Sequence, residues 1–241
     1  MSERYKRQIM MREIGQEGQS KLDASSVLVI GAGGLGSPVI YYLAAAGIGR
    51  IGVCDGDTVA LSNLNRQILH FEGDIGTAKT ASAAAKIGAF APDIDILTYD
   101  HMLTDDIAAD LFPQYDIVVS CVDNIAARHM LNRAHIKTAV PLIDAGVSGF
   151  SGYVLPIISS FPCYHCVFPE NVTVPDDSRG IIGASAGVVG SMQALEVIKT
   201  LLGLNTDFYG NMLLIDLLDL SFQTIQISRN PSCICAATDT V

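Results

Sequence analysis

Short apolar runs alternate with longer helical patterns along residues 1–146. Ser26–Ile30 is an apolar run ending in glycines, and Gly34–Ala46 is a helical stretch of small and apolar residues. Ile51–Asp55 and Ile94–Tyr99 read as a second and third strand, with a helix at Ala78–Phe90 between them. A capped helix at Thr104–Phe112, a strand at Ile117–Cys121, a helix at Asn124–Lys137 and a strand at Val140–Ala145 continue the rhythm. Strands separated by helices in this way predict a parallel sheet with helices on both faces. From residue 147 the pattern changes. Gly152–Ile158 and Met212–Asp216 are strand-like, Ser221–Ile227 alternates, and Ala184–Leu202 is helical. This half predicts antiparallel strands and one long helix added to the same sheet. Between them, Pro169–Gly183 is polar and unpatterned, and a loop of that length is usually functional or mobile. The whole chain, 1–241, reads as one domain: a parallel half at 1–146 and an antiparallel extension at 147–241.

Charge narrows the partners. Fifteen Lys+Arg stand against 25 Asp+Glu, a net charge of −10. Such a surface repels phosphate backbones and anionic lipid, so neither nucleic acid nor membrane is expected as a partner. The most apolar stretch, Ile181–Gly203, is interrupted by Ser185, Ser191, Gln193, Glu196 and Lys199 and reads as a buried helix. Met1–Met11 carries Arg4, Lys6 and Arg7 without an apolar signal core, so a mature, cytoplasmic protein is expected.

The chemistry gathers where strands end. Gly31-Ala-Gly33-Gly34-Leu-Gly36 follows the first strand and opens a helix. Glycines let a backbone approach phosphate, and a helix N-terminus favours the anion. Asp55 ends the next strand, where a carboxylate can accept from ribose hydroxyls. This fingerprint suits a nucleotide but does not separate NAD from ATP. The run from Asp55 through Asp57, Asn63, Arg66 and Gln67, then Lys79, then Asp123-Asn124 after the fourth strand, favours ATP. Asn63, Arg66 and Lys79 suit a triphosphate and Asp123 suits Mg²⁺. Taken singly, Asp123 can equally be the N-cap of the helix that begins near Asn124.

Together these motifs resemble the adenylation domain of the MoeB/ThiF/HesA family, bacterial relatives of ubiquitin-activating enzymes. Arg4-Tyr5-x-Arg7-Gln8 and Gly190-Ser-x-Gln193-Ala-x-Glu196-x-Ile198-Lys199 extend the resemblance from about Arg4 to Cys235. It implies a Rossmann-like fold and a homodimeric, ATP-dependent adenylyltransferase acting on the Gly-Gly carboxylate of a ubiquitin-like sulfur-carrier protein. It further implies that Asp55 holds the ribose, that Asn63, Arg66 and Lys79 bind phosphates, and that Asp123 binds Mg²⁺. Arg7 would reach the ATP site of a neighbouring subunit. The carrier carboxylate would attack the α-phosphate, so no catalytic Ser, His or Cys is required. Competing readings are adenylation of a small-molecule, peptide or RNA-linked carboxylate, an inactive nucleotide-binding scaffold, and an NAD-dependent dehydrogenase.

Six cysteines complete the inventory. Cys54 and Cys121 lie in apolar runs and read as packed thiols. Cys163-Tyr-His-Cys166 and Cys233-Ile-Cys235 form two close pairs that suit structural zinc, with reduced thiols or a labile disulfide as alternatives. Relatives usually carry Cys-x-x-Cys at the second pair, so the Cys-x-Cys here departs from the family. The loop Pro169–Gly183 also lacks the cysteine many relatives hold; it contains Asp176, Asp177, Ser178 and Arg179. Adenylation without a covalent enzyme–carrier intermediate is therefore expected, with the loop crossing over the carrier's tail. His165 is expected to be exposed. His70, His101, His129 and His135 read as ordinary surface or helix residues. Phe150, Phe161 and Phe168 read as core, with a hydrophobic platform for a partner as the alternative.

Overall fold

In the computed structural model, which describes residues 3–170, 180–204 and 206–236, eight strands form one sheet. They are β1 (Ser26–Ile30), β2 (Arg50–Cys54), β3 (Asp95–Tyr99), β4 (Ile117–Ser120), β5 (Leu142–Ser148), β6 (Ser151–Ile157), β7 (Asn211–Asp216) and β8 (Ser221–Gln226). Their order across the sheet is β3-β2-β1-β4-β5-β6-β7-β8. β1 runs parallel to both β2 and β4, and β4 runs parallel to β5. From β5 onward each pairing is antiparallel. The change of direction expected between residues 146 and 147 thus falls inside β5. That strand runs on to Ser148 because its far end pairs with β6. The helices are α1 (Lys6–Ile9), α2 (Gly15–Asp23), α3 (Gly36–Ala46), α4 (Lys79–Phe90), α5 (Asp105–Leu111), α6 (Ile125–Thr138), α7 (Tyr164–Val167) and α8 (Gly183–Leu202).

The central strands are apolar along their length because both of their faces are covered. Side chains alternate between two cores. Val27 and Val29 of β1 join Ile40, Leu43, Val189 and Val197 on one side. Leu28 and Ile30 join Phe112, Leu131, Leu142 and Leu155 on the other. Each fully buried large side chain contributes about 1.5–3 kcal/mol. α8 buries Ser185, Val189, Gln193, Val197 and Leu201 along one stripe. Gln193 satisfies its buried amide by donating to the carbonyls of Ser120 (2.7 Å) and Ile143 (3.0 Å). Among the described residues no helix is long and apolar enough to cross a membrane.

Several expectations need correction. His129 and His135 are helix residues of α6, as expected, but they and His70 are buried against tertiary neighbours that a lone histidine in sequence does not reveal. His165 is half-buried. Phe150, in the β5–β6 turn, and Phe161 are exposed, whereas Phe168 packs against the second core. Cys54 and Cys121 are buried as expected. Asp176, Asp177, Ser178 and Arg179 lie outside the described residues.

Backbone crowding makes two glycines of the fingerprint irreplaceable. Gly31 has φ +98°, and a Cβ there would stand 2.6 Å from the Cys121 carbonyl oxygen. A Cβ on Gly36 would stand 2.0 Å from the Gly31 carbonyl oxygen. Gly88, in the exposed face of α4, would meet nothing within 4 Å. Thermal melts should therefore show opposite signs. Gly36→Ala is expected to destabilise by about 3 kcal/mol or more, and Gly88→Ala to stabilise by roughly 0.5–1 kcal/mol.

Candidate active site

A cleft of about 990 Å³ opens where β1, β2, β4 and β5 end. β1 lies between β2 and β4, and the chain crosses in opposite directions from it. Such a reversal leaves a crevice beyond the carboxyl ends of the strands. Gly31, Gly33, Gly34, Asp55, Asp57, Arg66, Gln67, Lys79, Asp123 and Asn124 all border this cleft.

Asp55 fixes the glycine turn. Its carboxylate accepts from the Ala32 amide at 2.8 Å and from the Asp57 amide at 2.9 Å. Lys79, the first residue of α4, is buried, and its Nζ lies 2.7 Å from Asp57 and 3.8 Å from Asp55. A cation is thereby held at the floor of the cleft beside the turn.

The segment after β2 places two more groups. The Asn63 carbonyl accepts from the Arg66 and Gln67 amides. The Arg66 Nη1 donates to the Ser62 carbonyl (2.9 Å) and Asn65 Oδ1 (3.0 Å). Gln67 is buried, and among the described residues its Oε1 has no hydrogen-bond partner. Asn63 itself stands behind the cleft wall, its Oδ1 accepting from the Ala60 amide at 3.1 Å. Gly36 also stands behind the wall, where it lets α3 approach the turn.

The choice between cap and cleft at Asp123 has a clear outcome. Asn124 is the N-cap of α6, its Oδ1 accepting from the Ala127 amide at 2.8 Å. Asp123 is exposed and, among the described residues, makes no side-chain hydrogen bond or ion pair. Arg7 is elsewhere. Its neighbour Gln8 donates to the Ala46 carbonyl, and Arg4 donates to the Phe90 carbonyl. These are the carboxyl ends of α3 and α4, so Arg7 sits at the end of the sheet remote from its own cleft.

Sequence reasoning missed four residues here. Arg128 borders the cleft and donates through Nη2 to the carbonyls of Val122 (2.8 Å) and Ala145 (2.9 Å). Its Nε is 3.4 Å from the fully buried Asp144, which also accepts from the Tyr153 hydroxyl at 2.7 Å. Burial pushes the Asp144 carboxyl up and the Arg128 guanidinium pulls it back. The available signal was Asp144 itself, a charge inside an apolar strand that had to be paired. The fourth is His70, whose Nε2 lies 2.9 Å from the Ala32 carbonyl and Nδ1 2.8 Å from Ser82 Oγ. A carbonyl only accepts, so Nε2 carries the proton and Nδ1 accepts from the hydroxyl. His70 and Asp55 therefore grip Ala32 from its two sides.

The paired cysteines come together away from the cleft. Sγ of Cys163 is 3.4 Å from Cys233, and Sγ of Cys166 is 3.6 Å from Cys235. All four sulfurs lie within 4.8 Å of one another. A tetrahedral Zn–S₄ centre places its sulfurs about 3.8 Å apart, so the donor set fits. Asn132 orients the group, donating to Cys163 Sγ at 3.5 Å and accepting from the Tyr164 amide at 3.0 Å.

A doubly wound α/β protein with its cleft at the switch point is of the class that takes nucleotides there. The profile of the ThiF family matches residues 5–235, and the chain belongs to that family. It is 42% identical to the adenylyltransferase and sulfurtransferase MOCS3 of Mus musculus, with 99% of this chain and 53% of the mouse protein covered. It is 39% identical to the SAMP-activating enzyme E1 of Haloferax volcanii, over 96% of this chain and 87% of that protein. The sulfur carrier protein adenylyltransferase of Thermus thermophilus is also 39% identical, over 96% and 89%. The chain spans about half the length of the MOCS3 relatives. In fold it matches E. coli MccB solved with ATP, with a TM-score of 0.85 at 21% identity, over 98% of this chain and 75% of that one.

The buried imidazoles predict a pH response. Burial holds His70 and His135 below their ordinary value of 6.5. Below 6.5 the unfolded chain binds protons that the folded chain refuses, so stability rises with pH in that window. Thermal midpoints are expected to be full above about pH 6.5 and to fall as pH drops toward about 5. His135→Gln should flatten that fall.

Proposed function

We propose that this chain uses ATP to adenylate the C-terminal carboxylate of a ubiquitin-like sulfur-carrier protein, releasing pyrophosphate. The observation that carries the reading is the division of labour at the end of β4. Asn124 caps α6, which leaves the Asp123 carboxylate free on a cleft also bordered by Arg66 and Lys79. An exposed carboxylate sharing a cleft with two cations suits a metal-bound triphosphate. Asp123 would hold Mg²⁺, which supplies charge neutralisation at the phosphates. The Lys79 Nζ would exchange Asp57 for a phosphate oxygen. Arg66 would bind a second phosphate oxygen, and Asn63 would support it from behind the wall. Asp55 still has lone pairs for ribose hydroxyls, and the unpartnered Gln67 Oε1 can accept from a nucleotide donor.

A carrier carboxylate oxygen then attacks the α-phosphorus and the bond to the bridging oxygen breaks. The acyl-adenylate and pyrophosphate result. The chain's contribution is alignment and neutralisation of developing charge, in a site whose cations are already fixed. The stretch 169–183 contains no cysteine, which supports adenylation without a covalent enzyme–carrier intermediate. The relatives' names and the ordered motifs support the substrate class, and the net charge of −10 suits a protein partner better than nucleic acid or a membrane. We place this work in the cytoplasm.

The partner subunit is a second copy of the chain. Gln8, beside Arg7, borders an apolar hollow of about 350 Å³ with Tyr42, Ala45, Leu195 and Ile198. Tyr42 and Leu195 are more than half exposed. Packing this face on its copy would carry Arg7 toward the neighbour's cleft. We further propose that Cys163, Cys166, Cys233 and Cys235 hold structural zinc. Burial pushes the Cys163 thiol up to about 11, and a cation would keep the four sulfurs ionised.

ATP–pyrophosphate exchange, run with a panel of carriers ending in Gly-Gly, tests the activity. Exchange should require one carrier and Mg²⁺, and Lys79→Ala or Asp123→Ala should lower it by about 10²-fold or more. Exchange at wild-type level in either variant would remove that residue from the site. Equal mixing of inactive Arg7→Ala and Asp123→Ala proteins should restore about a quarter of the activity, because only mixed dimers hold one complete site. Zinc content should be one equivalent per chain. Cys235→Ser or prolonged chelation should remove it and lower the thermal midpoint by several degrees.

A further inference from the structure

A second group of metal-ligating side chains stands apart from the four cysteines. His129 on α6, His165 on α7 and Glu170 offer ligand atoms that all lie within 4.8 Å of one another. The His129 ring is only 5% exposed, and its Nε2 is buried without a hydrogen-bond partner among the described residues. Its Nδ1 faces the Glu170 carboxylate at 3.8 Å, too far for a hydrogen bond. His165 packs edge-on against it with ring centroids 5.7 Å apart, and Tyr164 does the same at 5.1 Å. An imidazole this buried normally has its ring nitrogens accounted for, and a metal ion would take up one of the two. Arg133 makes a bidentate pair with Asp105 at 2.9 and 3.0 Å and reaches Glu170 only at 3.3 Å. Glu170 therefore keeps acceptor capacity.

We infer that His129, His165 and Glu170 form a second divalent-metal site, distinct from the thiolate cluster. Two imidazoles and a carboxylate suit zinc, cobalt or nickel rather than magnesium. Nitrogen and oxygen ligands about 2.0–2.1 Å from a zinc-sized ion stand roughly 3.4 Å apart in a tetrahedral set. Half-buried His165 and exposed Glu170 can close that gap by rotating toward the fixed His129. The fourth position would be open to water. Ligation would reinforce the Arg133 contact that already joins Glu170 to α6, the helix that follows Asp123. Glu170 also begins the stretch of sequence that leads to Ile181 on the cleft rim.

The probe is Co²⁺, added to protein carrying one equivalent of zinc, with excess Mg²⁺ present to occupy carboxylate sites in the cleft. A second equivalent should bind with the weak visible bands of nitrogen and oxygen ligands and no thiolate-to-cobalt charge transfer. Glu170→Gln and His165→Gln should each weaken it by at least roughly tenfold, since even outer-shell losses cost 10–100-fold. Zinc in the thiolate cluster should stay at one equivalent in Glu170→Gln, which leaves α7 untouched. Saturation at a single equivalent would overturn the site. So would a second equivalent indifferent to both substitutions, including one lost only in Asp123→Asn. None of these outcomes depends on adenylation activity, whose failure would appear in pyrophosphate exchange alone.

Discussion

The closeness of backbone to backbone at the end of β1 is the constraint on which the rest depends. Only residues without side chains fit where Gly31 meets the Cys121 carbonyl and Gly36 meets the Gly31 carbonyl. That contact draws the turn after β1 against the segment after β4, the two walls of the cleft. Asp55 then couples a third element. By accepting from both Ala32 and Asp57, it locks the ends of β1 and β2 together, and the same carboxylate helps hold Lys79. The turn is thus shaped by the chain alone, before any ligand arrives.

The parts of this arrangement legible in the sequence were those with local causes. β1, β2 and β4 announced themselves because strands covered on both faces are apolar throughout. The fingerprint was legible because its glycines stand between a strand and a helix. Other parts had tertiary causes. α2 buries only Gln19 and Leu22, so its pattern was too sparse to read. β5 outruns its apolar core because β6 supplies hydrogen-bond partners for Val147 and Ser148. Arg128 was invisible because its partners come from other elements, Val122 in the preceding loop and Asp144 and Ala145 on β5. The same holds for His70, whose value lies in a carbonyl 38 residues away.

Electrostatically the cleft is poised rather than simply positive. Lys79 rests on Asp57, Arg128 on Asp144 and Arg133 on Asp105. Each pairing fixes a cation in place within a chain of net charge −10. An anionic ligand therefore meets oriented charges but must compete with resident carboxylates for them. Asp57 and Asp105 are exposed and can be displaced, whereas Asp144 is sealed. The buried pair keeps the wall rigid while the exposed pairs can exchange.

The register of β1 against β4 has a consequence for the order of folding. Val27 pairs with Ile117, and Ser26 is tied to the Asp116 carboxylate across 90 residues of chain. β1 and β2 can meet early, but the β1–β4 seam must wait for a long loop to close, which is slow. The cleft straddles that seam. A half-assembled sheet therefore offers no binding crevice, and any molecule that occupies it rewards only chains that have closed the seam. A ligand captured there during refolding would act as a clamp on the completed topology, raising its population by mass action while leaving intermediates unaided.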